Sequence, residues 1–217
     1  MGLDSLLKHL NTIPHLNLLK KYDIDKLNFE VANISQFKDY QTQYKTSKEQ
    51  YEKTWSGVSL YGTNGDPYLN LTENSSSSDM ATTSVGKKCP YMMSIMEDLG
   101  TEDQLSRVMR IAPKSNLNFH SHVKHHKQPE YILTVHIPIV VPPNFEYVVK
   151  HPKTEKLYKE TYKEGQAYIF NSYHLHNVYN YSEIYRISIM VYMNLKRKKC
   201  FDIVKKAMMA YRGPRII

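Results

Sequence analysis

With 217 residues, 41% of them hydrophobic, the chain has the material for one sizeable core and is too apolar for a disordered tail. No apolar run approaches the ~18 residues of a membrane-spanning helix, which excludes a helical membrane protein. A formal net charge of +8, concentrated near the C-terminus, leaves nucleic acid, anionic lipid or an acidic protein open as partners, beside the commoner role of a solvated helix face.

In chain order, Leu3–Tyr22 reads as helix, with Leu3, Leu6, Leu7 and Leu10 at helical spacing before Pro14 interrupts. This opening is broken by charges and lacks the cleavage site of a signal peptide. Leu6 stands where a myristoylation pattern needs Ser or Thr, so a cytoplasmic location is expected. A second, polar helix is expected within Phe37–Lys53. WSGVSLYG begins strand-like, TENSSSSDMATTS is a polar surface loop, and CPYMMSIMEDLG is a short helix stopped by Gly100. Cys89 and Cys200 share no metal-type spacing and read as reduced thiols.

From Leu105 the character changes. RVMRIAP, YILTVHIPIVV, FEYVVK, EKLYKETY, QAYIF and YRISIMVYM are short runs rich in β-branched and aromatic residues, separated by turns. Such strands without intervening helices indicate a sandwich, barrel or jelly roll. KKCFDIVKKAMMAYR then returns to helix.

The chemistry concentrates in two clusters. FHSHVKHHKQPEYILTVHIP carries His120, His122, His125, His126 and His136, and NSYHLHNVYNYS carries His174 and His176. Residues two apart on a strand share a face, so His120 and His122 can reach one metal ion while a third imidazole comes from the second cluster. Imidazole suits iron, zinc, copper and nickel alike. His125 and His126, flanked by Lys124 and Lys127, read as loop residues. Arg186 shares one face of its strand with Ser188 and Met190, opposite Ile187, Ile189 and Val191. A cation there needs an anionic partner, and a dicarboxylate matches a guanidinium well. The same alternation puts His136 on one face with Thr134 and Pro138, where it could look into the barrel.

These segments together resemble the aspartyl/asparaginyl β-hydroxylase family of Fe(II)/2-oxoglutarate dioxygenases, which includes free-proline hydroxylases. The resemblance covers Arg107 to about Met193: RVMRIAP followed by NFHSH, then TVHIPIV, then EGQAYIFNSYHLHNVYNYSEIYRISIMVY. It implies a double-stranded β-helix core of the jelly-roll or cupin-like kind, mainly β, with N-terminal helices and a C-terminal helix. One domain over 1–217 is expected, with a helical and loop-rich part bearing early strands over 1–104, the core over 105–193 and a basic helix over 194–217.

Carried over by position, the resemblance makes His120 and His176 iron ligands. Arg186 would grip the distal carboxylate of 2-oxoglutarate, and His136 would assist near the cosubstrate. His174 competes for the second ligand position, but the ligand directly precedes NVYN, which selects His176. His122 stands where many such enzymes carry Asp or Glu; it is expected to bind the metal as a third imidazole, the alternatives being a two-histidine site with His122 turned away or a changed activity. The implied activity is hydroxylation of an unactivated C–H bond in an amino acid, peptide or protein side chain, with release of succinate and carbon dioxide. Arg107, Arg110 and Lys124–Lys127 could attract a substrate carboxylate. Two other readings stand beside it: a three-histidine cupin dioxygenase that does not use 2-oxoglutarate, and a non-catalytic β-barrel that binds nucleic acid through its basic C-terminus. In the latter, Tyr179, Tyr181 and Tyr185 would be stacking surfaces.

Overall fold

The computed structural model describes residues 1–39, 54–69, 79–122 and 129–216. Two antiparallel sheets dominate it. The larger runs in the order β1 (His15–Lys21), β10 (Gln166–Phe170), β7 (Ile132–Val140), β12 (Arg186–Asn194), β5 (Ser106–Ile111), β3 (Trp55–Thr63) and β2 (Lys38–Asp39), with β4 (Met80–Thr82) also paired to β3. The smaller runs β6 (Ser115–Asn116), β11 (His176–Asn180), β8 (Phe145–Lys150), β9 (Leu157–Glu160). From β5 onward the chain crosses between the sheets at almost every connection, which is the winding of a double-stranded β-helix.

Period-two alternation gives the large sheet two different faces. On one, Leu133, Val135, Ile137 and Ile139 of β7 and Ile189 and Val191 of β12 join a core completed by helices. Those helices are α1 (Leu3–Leu10), α2 (Ile24–Ala32), α3 (Pro90–Leu99) and α4 (Lys198–Ala210). On the other face, Ile111, Tyr168 and Phe170 meet Phe145, Tyr147, Val149 and Val178 of the small sheet in a second, aromatic core. Residues of that inner face surround the site described below.

Three expectations need correction. The helix read over Leu3–Tyr22 ends at Leu10, and His15–Lys21 is a strand instead, pairing His15 with Phe170 and Leu16 with Ile169. Burial of Leu16 and Leu18, two apart, is a strand signal that the upstream leucine spacing masked. The helix α2 was not anticipated, although Asp23 caps it in plain form, its carboxylate accepting from the Asp25 and Lys26 amides. Of the helix expected within Phe37–Lys53, residues 40–53 lie outside the described set, and Lys38–Asp39 pairs with β3 as strand. The stop at Gly100 is found, with φ 74° closing α3 in the left-handed region. No helix among the described residues is long and apolar enough to cross a membrane.

Asn180 ties the end of β11 to the end of β5 and to the turn that leads into β12. Its Nδ2 donates to the carbonyls of Ile111, Ala112 and Ile184, and its Oδ1 accepts from Ser182. Asn180→Ala leaves buried carbonyls without a donor, and a loss of about 2–3 kcal/mol is expected. Urea unfolding checks this: the midpoint falls with the slope unchanged, whereas an unmoved midpoint would show that the turn holds without Asn180.

Candidate metal and anion site

The histidine pair is set by backbone hydrogen bonds. His120 and His176 face each other in an antiparallel bridge, His120 N donating to His176 O at 3.1 Å and His176 N to His120 O at 2.9 Å. Two residues on, His122 N donates to Ser172 O at 2.9 Å, and Leu117 N donates to Asn177 Oδ1 at 3.0 Å. The segment bearing His-x-His is thereby zipped along the strand bearing the third histidine. Ring centroids lie 4.3 Å apart for His120 and His176, 5.0 Å for His122 and His176, and 5.6 Å for His120 and His122. One ring nitrogen from each of the three lies within 4.8 Å of the others.

Hydrogen bonds on the far side of each ring orient it. His120 Nδ1 meets the Asn118 carbonyl at 3.0 Å and His176 Nδ1 the His174 carbonyl at 2.9 Å. A carbonyl only accepts, so both Nδ1 atoms carry the proton and Nε2 carries the lone pair. His122 Nδ1 meets the Thr134 hydroxyl at 3.1 Å, which permits the same tautomer. This is the outer support that metal-binding imidazoles require. Three convergent neutral imidazoles fit a first-row transition metal, and the set by itself does not choose among iron, zinc, copper and nickel.

His174, the competing ligand, turns away: it is half-buried and its Nε2 meets the Asn11 carbonyl at 2.8 Å. His125, His126 and the Lys124–Lys127 run lie outside the described residues. Arg110 points from the barrel, donating to Ser56 Oγ at 2.7 Å and lying over the rings of Phe37 and Tyr185. Arg107 is buried and donates to the Tyr192 hydroxyl at 3.4 Å.

Behind the imidazoles the pocket continues inward to His136 and Arg186, between walls that include Met109, Tyr147 and Phe170. Arg186 is only 2% exposed, and its Nε and Nη2 have no hydrogen-bond partner. Its guanidinium carbon sits 5.3 Å from the Phe145 ring centre and 5.1 Å from that of Tyr147. Aromatic faces temper the charge without replacing the hydrogen bonds it has lost. Burial pulls the Arg186 pKa down to about 9. His136 Nδ1 is likewise enclosed and unpartnered; burial first, then the neighbouring Arg186 charge, holds its pKa well below the ordinary value, so the ring is neutral. The pocket thus groups three imidazoles that could hold a metal ion with a donor-rich, aromatic-walled end.

At the C-terminus, α4 buries Cys200, Val204, Ala207 and Met208 and turns Lys198, Lys199 and Lys206 outward. Tyr179 and Tyr181 stack on each other with centroids 5.5 Å apart.

The residues that sequence reasoning did not single out are Thr134 as the partner of His122, and Tyr147 and Phe170 in the wall. Alternation in FEYVVK and QAYIF was the available signal for the last two.

Comparison with known proteins adds three findings. The family model described as Aspartyl/Asparaginyl beta-hydroxylase matches residues 22–194, so the likeness starts well upstream of Arg107. No curated protein sequence matches the chain. Among solved structures, an oxidoreductase of the 2OG-Fe(II) oxygenase family from Burkholderia pseudomallei superposes with TM-score 0.57, at 12% identity, over 88% of this chain and 89% of that one. A prolyl-4-hydroxylase from Pseudomonas putida gives TM-score 0.53 at 10% identity, over 89% of this chain and 98% of that one. At such identities the likeness is one of fold.

Metal affinity measured by chelator competition tests the triad. His176→Ala is expected to abolish tight binding, Thr134→Val to weaken it about tenfold by freeing the His122 ring, and His174→Ala to leave it unchanged. Equal affinity in wild type and His176→Ala would remove the metal site.

Proposed function

The chain belongs to the aspartyl/asparaginyl beta-hydroxylase family, and from that footing we propose an Fe(II)- and 2-oxoglutarate-dependent hydroxylase. It acts on an unactivated C–H bond of an amino acid, peptide or protein side chain. The observation that carries the reading is the coexistence, in one pocket, of three convergent imidazoles and a buried guanidinium without a partner. A metal alone would account for the first, and an anion alone for the second. A dicarboxylate with a chelating 2-oxo acid end accounts for both.

On this reading His120, His122 and His176 hold iron. Arg186 takes the distal carboxylate of 2-oxoglutarate by the paired N–H geometry that suits a carboxylate. His136, neutral, offers a ring N–H to the same molecule. Iron with its bound cosubstrate supplies the dioxygen chemistry, one oxygen atom entering the C–H bond and the other leaving in succinate as carbon dioxide is released. The apolar walls keep bulk water from the pocket, and no side chain is required as a general base. Helical layer and barrel are read together as one domain over residues 1–217.

A three-histidine cupin that ignores 2-oxoglutarate would use the same imidazoles but leave Arg186 without a task. A nucleic-acid module would use neither.

Anaerobic titration of Fe(II) and 2-oxoglutarate, followed by the visible band of the chelate, tests the reading without knowledge of the substrate. The band should saturate in wild type, require about tenfold or more cosubstrate in Arg186→Ala, and vanish in His176→Ala. Folded, iron-loaded protein with no band would sink it. pH gives a second check. Burial lowers the Arg186 pKa, and only the charged form attracts the carboxylate, so affinity should hold through neutral pH and weaken only as the solution becomes strongly alkaline.

A further inference from the structure

Three tyrosine rings from separate segments stack face to face in the aromatic core. Tyr147 of β8 lies on Tyr162 with centroids 3.9 Å and planes 23° apart, and Tyr162 lies on Tyr168 of β10 at 4.1 Å and 5°. The stack has two different ends. Tyr147 lines the metal pocket, and Tyr168 lines an open groove bounded by β1, β9 and the residues that follow α4. At the inner end the Phe170 ring bridges Tyr147, at 5.2 Å, and the His176 imidazole, at 4.6 Å. Rings in contact therefore run from the imidazole group to the groove, by way of Tyr162, which is 1% exposed.

Phenylalanine would stack as well, so packing does not account for the hydroxyls. A phenol differs from a phenyl ring in giving up one electron readily, provided that its proton has a base to go to. In this stack the middle ring has one. The Tyr162 hydroxyl lies 2.8 Å from His15 Nδ1. Burial holds the His15 pKa at about 4, so the ring is neutral; with its proton on Nε2, Nδ1 accepts from the phenol. Burial also holds the Tyr162 pKa well above its ordinary value, so the proton leaves only when the ring loses an electron as well. The Tyr147 hydroxyl has no partner, and that of Tyr168 is held by the Gln166 side chain and the Lys163 amide, neither of them a base.

We propose that this stack delivers electrons from the groove to the metal, with Tyr162 and His15 as its relay. The proposal rests on the function proposed above, and the relay acts when the metal is oxidised with no substrate in place. One electron passes from the Tyr162 ring through Tyr147 to the metal, and the hydroxyl proton moves to His15 Nδ1. A one-electron reductant of the ascorbate or thiol class in the groove then returns an electron through Tyr168, and the proton goes back from His15 to Tyr162. The net change is one electron from reductant to metal, and the side chains of the pocket are spared oxidation.

The test reads the radical directly. Protein loaded with Fe(II) and 2-oxoglutarate, its chelate band saturated, is mixed with oxygenated buffer without substrate, freeze-quenched and read by electron paramagnetic resonance. Wild type should show a tyrosyl radical as the band decays, and ascorbate should quench it. Tyr162→Phe keeps the stacked ring and should lose the radical, while peptide mass spectrometry finds more oxidation at Tyr147 and Phe170. Tyr168→Phe should keep the radical and slow its quenching by ascorbate. An unchanged radical in Tyr162→Phe, or quenching in Tyr168→Phe as fast as in wild type, would overturn the inference. So would a wild-type band that persists, or one that decays without a radical, and in each of these cases the function stands. A wild type that forms no band fails the function itself, and the inference with it.

Discussion

A guanidinium held inside a β-barrel with unpaired N–H groups is the constraint around which the rest of the site is arranged. Arg186 enters at the first position of β12, and Asn180 ties the turn before it to β5. The cation therefore cannot withdraw to solvent without breaking the strand start. Desolvating a charge of this kind costs several kcal/mol unless something repays it. Phe145 and Tyr147 offer ring faces, which contribute on the order of 2 kcal/mol each in a desolvated site but no hydrogen-bond acceptor. The remainder is a standing demand for an anion, built into the pocket.

The imidazole triad makes a related demand. A site with two histidines and a carboxylate lowers the charge of a divalent cation by one; three neutral histidines leave it whole. On the proposed reading, the dianionic cosubstrate then meets two positive centres along one pocket, the metal at one carboxylate and Arg186 at the other. His136 stands in that pocket as a neutral ring, because burial and the Arg186 charge both oppose its protonation. A protonated imidazole there would compete with Arg186 for the same negative charge. Neutrality lets it direct the ligand instead.

Much of this was legible in the residues, and what was not has physical reasons. Alternation in YILTVHIPIVV and YRISIMVYM assigned the inner and outer faces of β7 and β12 residue by residue, and Leu133, Val135, Ile137 and Ile189 do join the helix-covered core. Strand period is a local property, so it survives without knowledge of neighbours. The choice between His174 and His176 needed the resemblance, since both have plausible spacing; in the fold His176 bridges His120 and joins the imidazole group, while His174 bonds to Asn11. Thr134 could not be paired with His122 from sequence, because that contact joins an irregular segment to a strand across the pocket. The strand at His15–Lys21 was lost for the opposite reason: a strong leucine spacing upstream was extended past Pro14, where tertiary pairing with β10 takes over.

The two faces of the large sheet divide the work between stability and chemistry, and they do so within single strands. Along β12 the odd positions Ile187, Ile189 and Val191 pack against the helical layer, while Arg186 and Met190 turn to the pocket. Along β7, Val135 and Ile137 go to the helices and Thr134 and His136 to the site. Stability drawn from the outer face allows the inner face to hold groups that cost stability: an unpaired cation, an unpaired phenol and an unpaired imidazole nitrogen. A sheet with both faces satisfied would fold at least as well and bind nothing. The helices that cover the outer face are therefore part of the site's energetics although none of their residues lines it.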